Sequence, residues 1–236
     1  MLDRIIKEKK IRVTAEVTSP PFGILDKSNQ PDGSEIATAR QLAKDLGVEL
    51  ELVQVTSPQR IPALLAGRAD VAISSLSITF DRAKTVMFAT PHGALSIVIA
   101  GPKKTQIHSP ADLKGKKIGI TRATLEESAV PPIAPGANIV FFDDIAATLQ
   151  AMVSGQVDAA GMSAFAAKSV ADRNPNAQIE NKFTVRTAFY AAAVRPGDFD
   201  LLQFMNTWVF LNKQNGVLAG IYKKYTEVAL VDLPVL

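Results

Sequence analysis

The chain has 236 residues, of which 47% are hydrophobic and 21% charged, and its formal net charge at neutral pH is +3. These values are typical of a globular protein with a substantial core, and the length fits one large domain or two of about 100 to 130 residues. The chain contains no cysteine and only two histidines. This composition excludes disulfides, thiolate metal sites and a cysteine nucleophile, and it argues against a histidine zinc site. No metal or cofactor is predicted.

The basic residues cluster at 7–12 and 103–117, without aromatic residues between them. Solvated faces are therefore a better interpretation than nucleic-acid binding. No run of 18 apolar residues predicts a membrane span. The first residues lack the apolar core of a signal peptide, so we expect either a cytoplasmic protein or a processed chain given a new Met.

The first part of the chain alternates between strand and helix patterns. An amphipathic helix is predicted over 34–46, and Gly47 ends it. A proline-rich loop at 19–23 precedes a hairpin-like excursion over 24–33. Further strands are predicted at 11–15, 48–55 and 70–74, and a further helix at 60–65. This order indicates a largely parallel sheet with helices on both faces.

A second lobe is predicted to begin after the turn at 90–93. Its strands are predicted at 94–100, 117–121, 139–142 and 157–162, and its helices at 109–113, from 125 onward, and at 144–152. A strand at 188–194 then returns the chain to the first lobe, where helices follow at 199–214 and 217–225. The predicted fold class is α/β, with lobe 1 at 1–92 plus 189–236 and lobe 2 at 93–188.

A hydroxyl-rich segment joins a buried strand to a helix start. Residues 74–82 read Ser-Ser-Leu-Ser-Ile-Thr-Phe-Asp-Arg. Thr79 is the predicted N-cap, which places Arg82 at the third helical position. Hydroxyls, backbone N–H groups and a guanidinium then converge, and an arginine can donate two parallel hydrogen bonds to a carboxylate. The alternative is a surface arginine after a core strand.

An internal similarity supports two lobes. Residues 64–74 and 151–163 share a helix end, a glycine, an aspartate and a short apolar strand that ends in serine. The glycine suits the left-handed turn from helix to strand. The copies are too far apart for a solenoid repeat, so they indicate equivalent units in two α/β lobes. Chance similarity between two such units is the alternative.

Seven segments in chain order carry a resemblance to a known family. They lie at 21–22, 74–84, 112–119, 155–159, 193–198, 206–208 and 215–222. Together they resemble the extracellular solute-binding proteins, family 3, of polar amino-acid ABC importers, and the resemblance covers nearly the whole chain. It implies the type II periplasmic binding protein fold, in which two Rossmann-like lobes joined by a two-strand hinge close on a ligand.

The resemblance also implies ligand contacts. Arg82 would hold a ligand carboxylate with help from Ser77 and Ser75. The backbone of Thr124 would close on the same group, and Ser74 would add a polar contact.

Several positions depart from the family pattern. Members that bind α-amino acids place an Asp at the position of Ser163, where it pairs with the ligand ammonium. They place aromatic residues at the positions of Ser19 and Ser34, and a glutamine and a threonine at those of Arg122 and Leu125. The carboxylate half of the site is thus intact and the ammonium half missing, and a buried ammonium without a counter-charge is costly.

Four side chains are candidates for an altered pocket. Glu16 could hold a ligand cation or be a solvated loop carboxylate. Glu35 is expected to serve the first-turn helix dipole. Arg122 could contact a second ligand carboxylate or lie at the surface. His92 is expected to pack near the hinge, with a pocket contact as the alternative.

We therefore predict a non-enzymatic solute-binding component of an ABC importer that captures a small carboxylate-bearing solute. The solute is either an amino acid whose amine is bound elsewhere or an organic acid without an α-amine. The predicted protein is a periplasmic monomer, its signal peptide taken to have been removed, and it delivers the solute to a membrane permease.

Two alternatives use the same fold. A cyclohexadienyl dehydratase would need a general acid beside the departing hydroxyl, and residues 163–166 offer none. Glu126 and Glu127 are conceivable acids, but they fit helix capping. A sensor domain for a membrane kinase or channel would be attached to a transmembrane segment, which this sequence does not show.

Overall fold

A computed structural model describes residues 1–234, which form two compact units. The first contains Met1–Val17, Pro21–Ala94 and the chain from Phe189 onward. The second contains Thr18–Pro20 and Leu95–Ala188. Within the described residues, no helix is both long and apolar enough to cross a membrane.

The helices and strands largely follow the predicted order. The α-helices are α1 (Leu2–Glu8), α2 (Ser34–Leu46), α3 (Arg60–Leu65), α4 (Phe80–Ala83), α5 (Leu125–Ala129), α6 (Ile145–Val153), α7 (Ala164–Arg173), α8 (Phe199–Gln214) and α9 (Val217–Thr226). The strands are β1 (Lys10–Ala15), β2 (Ile24–Leu25), β3 (Pro31–Asp32), β4 (Glu49–Gln54), β5 (Met87–Phe88), β6 (Gly93–Pro102), β7 (Lys117–Thr121), β8 (Asn138–Phe142), β9 (Ala159–Ser163), β10 (Ile179–Tyr190) and β11 (Ala193–Val194).

The first unit is built around a parallel pair of strands. β1 pairs with β4 from Lys10 opposite Glu49 to Ala15 opposite Gln54. The apolar stripe of α2 is buried as predicted, and Gly47 ends the helix at φ 65°. Trp208 of α8 joins the same core, and its Nε1 donates to Asp45 at 2.7 Å. Apolar periodicity and a glycine stop therefore suffice to define α2.

The second unit contains a mixed sheet in the order β10-β6-β9-β7-β8. β7 runs parallel to both β8 and β9, whereas β6 runs antiparallel to β9. The junctions between the units fall inside two strands, after Ala94 in β6 and after Ala188 in β10. These two strands therefore carry the chain out of the first unit and back into it.

The internal similarity corresponds to one local structure that occurs twice. Gly67 and Gly155 both adopt left-handed backbone, at φ 70° and 77°. Asp70 donates its N–H to Arg12 O at 2.8 Å and accepts from Arg12 N–H through Oδ2 at 2.9 Å. Asp158 makes the same two bonds with Lys117, at 2.8 and 2.7 Å. The similarity is thus structural rather than a chance match.

Several predicted elements were wrong. The strand expected at 70–74 is reduced to isolated bridges, in which Val71 pairs with Val13 and Ala72 with Ala193. The strand expected at 188–194 is divided between β10 and β11, and β10 begins nine residues earlier than predicted, at Ile179. Helices α1 and α7 and strand β5 were not predicted.

Candidate functional site

The polar segment at 74–77, called the serine segment below, is buried in the first unit. Ser74, Ser75 and Ser77 are each no more than 9% exposed. Ser75 has a φ of 47°, in the left-handed region that a residue with a Cβ enters only at a cost. This conformation is incompatible with extended backbone, so the chain cannot run through Ser75 as a strand.

A buried ion pair lies beside the start of the serine segment. Arg60, the first residue of α3, donates to Ser74 O at 3.1 Å and to Ser57 O at 3.0 Å. Its Nη1 lies 3.5 Å from Oε2 of Glu16, whose Oε1 accepts from the Ser57 hydroxyl at 2.5 Å. Glu16 is only 3% exposed, so it is not a solvated loop carboxylate. Arg60 compensates its charge within the protein.

Glu35 lies on the other side of the serine segment. Its Oε2 accepts from Ser75 N–H at 2.8 Å, and His92 Nε2 lies 3.1 Å from Oε1 and 3.2 Å from Oε2. Both side chains are buried. Glu35 does lie in the first turn of α2, as predicted, but its carboxylate bonds to a distant loop as well. His92 therefore has a specific polar partner and not only packing contacts.

Arg82 is placed by a short capped helix. The predicted cap is confirmed, because Thr79 Oγ1 accepts from Arg82 N–H at 3.2 Å at the start of α4. The guanidinium Nη1 donates to Ser77 O at 2.7 Å. The cap fixes the backbone and the carbonyl orients the side chain, so the guanidinium is held beside the serine segment. Asp81 and Lys84, on the same helix end, form an exposed pair.

Aromatic side chains support the Glu35–His92 pair. The Tyr190 ring packs edge-on against His92 at a centroid distance of 5.0 Å and against Phe22 at 5.5 Å. Burial, with the charge of Glu35, raises the pKa of Tyr190 well above its usual value. Tyr190 is therefore uncharged, and its ring forms one side of this buried cluster.

Ser34 and Ser19, which stand where the family pattern has aromatic residues, are both buried. The Ser34 hydroxyl, 2% exposed, has no hydrogen-bond partner within residues 1–234. Ser19 is also buried, in the 18–20 stretch that belongs to the second unit. His92 Nδ1 is a second buried polar atom without a hydrogen-bond partner in the described chain.

The second unit carries the predicted turn before α5. Thr124 is the N-cap residue, and its hydroxyl donates to Thr121 O at 2.7 Å. Ala123 has a φ of 55°, and its N–H donates to Glu127 at 2.6 Å. Glu127 therefore stabilises the turn, as the capping interpretation predicted. Glu126 is buried on α5, close to Gly161.

Ser163 and Arg122 have contacts of their own. Ser163 ends β9, and its Oγ accepts from Ala166 N–H at 3.1 Å as the N-cap of α7. Arg122 is half exposed, lies 3.4 Å from Asp143 and stacks over Phe141 at 4.8 Å. These contacts favour the surface interpretation of Arg122.

Arg60 and Tyr190 were not predicted as site residues from the sequence. The helical period gave a usable signal for Arg60, since Ala63 and Leu64, three and four residues later, lie on the buried face of α3. The role of Tyr190 depends on contacts with Phe22 and His92, which are both distant in the chain, and it left no local signal. Among the residues that the structure describes, no three His, Asp or Glu side chains form a group that could hold a metal.

The fold and these residues correspond to a known family. The model of the bacterial extracellular solute-binding proteins, family 3, matches residues 11–228. The chain belongs to this family, and its fold is the type II periplasmic binding protein fold that the sequence predicted. Its role is therefore solute binding, and the dehydratase alternative is not favoured.

Three individual proteins that resemble this chain support the family assignment. The chain is 28% identical over 228 residues to the L-cystine-binding protein TcyJ of Escherichia coli (strain K12), covering 95% of this chain and 85% of that protein. It is 31% identical over 212 residues to the ABC transporter glutamine-binding protein GlnH of Bacillus subtilis (strain 168), covering 87% and 77%. The ancestral amino acid-binding protein AncCDT-1, a precursor of cyclohexadienyl dehydratase, superposes with a TM-score of 0.87 at 32% identity, covering 95% and 99%.

Proposed function

We propose that this protein is the substrate-binding component of an ABC importer and captures a small carboxylate-bearing solute. The observation that carries the proposal is the placement of Arg82, whose guanidinium is held at the serine segment by the Ser77 carbonyl. A guanidinium oriented in this way suits a carboxylate, since charge-assisted paired bonds are strong and directional. Ser74, Ser75 and Ser77 are the accompanying polar contacts in the first unit.

Candidate contacts in the second unit are Thr124, at the turn before α5, and Ser163, at the end of β9. Ser19, which groups with this unit, and Ser34 of the first unit are candidates for contact with the remainder of the solute. Arg122 is the weakest candidate, because it is half exposed and already pairs with Asp143.

The charge balance supports an organic acid without an α-amine. Position 163 offers no carboxylate, and the Glu16 carboxylate already has the buried Arg60 guanidinium 3.5 Å away, although its Oε2 accepts no hydrogen bond within residues 1–234. A ligand ammonium placed here would lack a counter-charge, which is costly in a buried site. An amino acid whose amine is bound elsewhere is the remaining alternative.

We further propose that the protein is not an enzyme. The Glu127 carboxylate is bonded to the Ala123 backbone, as expected for a group that stabilises a turn. Names of relatives support a permease partner, since GlnH is named as part of an ABC transporter. We propose a monomer in the periplasm, with functional lobes at 1–92 plus 189–236 and 93–188.

The test is a thermal-shift screen of protein stripped of ligand by unfolding and refolding. The panel contains L-cystine, L-arginine, L-glutamine, their deaminated analogues, succinate and prephenate. A ligand at 100 times its Kd adds about 2.7 kcal/mol of stability, a shift of several degrees. We expect the largest shift from a compound without an α-amine, whereas a shift only from amino acids would contradict that choice.

The carboxylate contact is tested with Arg82→Ala. We expect at least a 30-fold loss of affinity for the best compound, because a buried carboxylate loses its charged partner, a cost of about 2–5 kcal/mol. Lys84→Ala, on the same helix end with a side chain that is 73% exposed, is the matched control and should leave affinity unchanged. Affinity within twofold in Arg82→Ala would overturn the assignment. Release of phenylpyruvate from prephenate would overturn the non-enzymatic proposal.

A further inference from the structure

The serine segment contains a strained residue between two buried charged contacts. Ser75 is one of the non-glycine residues with positive φ, at 47°, and its side chain gives it no intrinsic preference for this conformation. Strained backbone at a binding segment persists only when its surroundings hold it there. The groups that hold Ser75 are those bonded to the peptide bond between Ser74 and Ser75.

The contacts on either side of the Ser74–Ser75 peptide bond come from opposite charges. Arg60 donates to Ser74 O at 3.1 Å, and Glu35 accepts from Ser75 N–H at 2.8 Å. Arg60 and Glu35 are 4% and 3% exposed. Both groups that one peptide plane offers are therefore bonded to ionisable side chains in a buried environment, where such bonds are strong.

Glu35 is itself held from two directions. Its backbone N–H donates to Phe22 O at 2.9 Å, which fixes the start of α2, and His92 Nε2 contacts both carboxylate oxygens at 3.1 and 3.2 Å. The His92 ring is in turn packed edge-on against Tyr190. The carboxylate therefore has little freedom to follow Ser75 if that residue moves to a more common conformation.

We propose that Glu35 is a positioning residue for ligand binding, which keeps Ser75 in the left-handed conformation that presents the serine segment to the ligand, with His92 as its support. Glu35 acts through Ser75 and does not itself touch the ligand. The binding part of this inference rests on the proposed function, whereas the backbone part does not.

The test compares two backgrounds that both lack the Ser75 hydroxyl. Ser75→Ala retains the Cβ that makes positive φ costly, and Ser75→Gly removes it. Glu35→Met is introduced into each, because Met resembles Glu in shape but cannot accept the Ser75 N–H bond. Crystal structures of the four ligand-free proteins give φ at position 75 directly. Glu49→Met, a change of an exposed glutamate on β4, is the matched control.

We expect Glu35→Met to move position 75 out of the left-handed region in the Ser75→Ala background but not in the Ser75→Gly background. A positive φ retained in the Ser75→Ala/Glu35→Met protein would overturn the proposal. If the Met variants do not fold, Glu35→Ala with the same two backgrounds gives the same comparison, and Glu35→Gln shows whether an uncharged acceptor rescues the conformation.

Isothermal titration with the panel compound that gives the largest thermal shift supplies the second readout. We expect Glu35→Met to weaken binding at least tenfold in the Ser75→Ala background and no more than threefold in the Ser75→Gly background. Equal losses in both backgrounds would indicate a merely structural role and overturn the proposal. If no panel compound binds the unmodified protein, the proposed function fails, while φ at position 75 still decides the role of Glu35.

Discussion

Gly93 lies directly against the Tyr190 ring: a Cβ at position 93 would be 2.1 Å from both Tyr190 Cζ and its hydroxyl oxygen. The ring is only 1% exposed and is packed between Phe22 and His92, so it has no space into which to move. No side chain can therefore be added at this position without displacing the aromatic cluster that supports Glu35.

The first prediction concerns Gly93→Ala. We expect a loss of about 3 kcal/mol from overpacking, which lowers Tm by roughly 6–12 °C in a chain of this length. Gly220→Ala is the matched control, because Gly220 lies within α9 and an added Cβ would meet nothing within 4 Å. That change should stabilise the helix by about 1 kcal/mol. Equal Tm values for Gly93→Ala and the unmodified protein would contradict the packing argument.

The second prediction concerns Asp70, whose carboxylate is fully buried between Arg4 and Arg12. Burial raises the pKa of Asp70, but the Arg12 hydrogen bonds and the positive charges of Arg12 and Arg4 outweigh it, so the net pKa is lowered. Asp70→Asn should cost about 3 kcal/mol at pH 7, since it leaves buried cationic groups without their partner.

The lowered pKa fixes the direction of the pH dependence of this loss. The Asp70 contribution is present above the unfolded-state pKa of about 3.9 and is lost as the pH falls through the lower folded-state value. Urea unfolding at pH 7, 5 and 3 should show the unmodified protein and Asp70→Asn converging only at the lowest pH. Asp81→Asn, which removes an exposed partner of Lys84, is the control and should be neutral throughout. A constant difference from pH 7 to 3 would refute the prediction.

The third prediction tests the buried Glu16–Arg60 pair. Arg60→Met should destabilise the protein by about 3–5 kcal/mol, because it leaves the Glu16 charge buried and unpaired. Adding Glu16→Gln should recover a large part of that loss, since the uncompensated charge is removed. Lys10→Met, in the exposed pair with Glu51 at 3.3 Å, should cost less than about 1 kcal/mol. Additive losses from the two buried changes would show that they are not coupled.

The fourth prediction uses Ser163 as a test of ligand class. Asp caps helices as well as Ser does, so Ser163→Asp should preserve the α7 cap and the fold. The added carboxylate should shift the affinity ratio of L-glutamine to its deaminated analogue at least tenfold toward the amino acid. Ser163→Asn caps in the same way without a charge and should leave the ratio unchanged. Equal ratios for the Asp and Asn variants would show that position 163 does not face a ligand amine.

Much of the fold could be predicted because its signals are local. The bounds of α2, α3 and α8 follow from apolar periodicity and from a glycine or polar residue near the helix end, all within one segment. Helix α7 was missed because its alanine-rich sequence after Ser163 carries a weak apolar stripe. The strand predicted in place of β10 began too late, because much of β10 is exposed and polar, as is usual for a strand at the edge of a sheet.

The candidate site was less predictable because its contacts are long-range. The Arg82 cap lies within four residues and was predicted correctly. Glu35, His92 and Ser75 are separated by 17 to 57 residues, and nothing in the local sequence around any of them indicates the others. Glu16 was recognised as a candidate, but its partner Arg60 becomes visible only when the strand end and the start of α3 are placed together.

The paired bonds of Asp70 to Arg12 and of Asp158 to Lys117 have a consequence for sequence variation in each unit. Each aspartate fixes its segment to a neighbouring strand at one point, upstream of the residues that differ between the two copies. Residues after Asp70 can therefore adopt an irregular path through the serine segment, while those after Asp158 continue as regular β9. Substitutions at the polar ends of the two segments, in the serine segment and at Ser163, can thus change the side chains presented there while each aspartate keeps its backbone bonds.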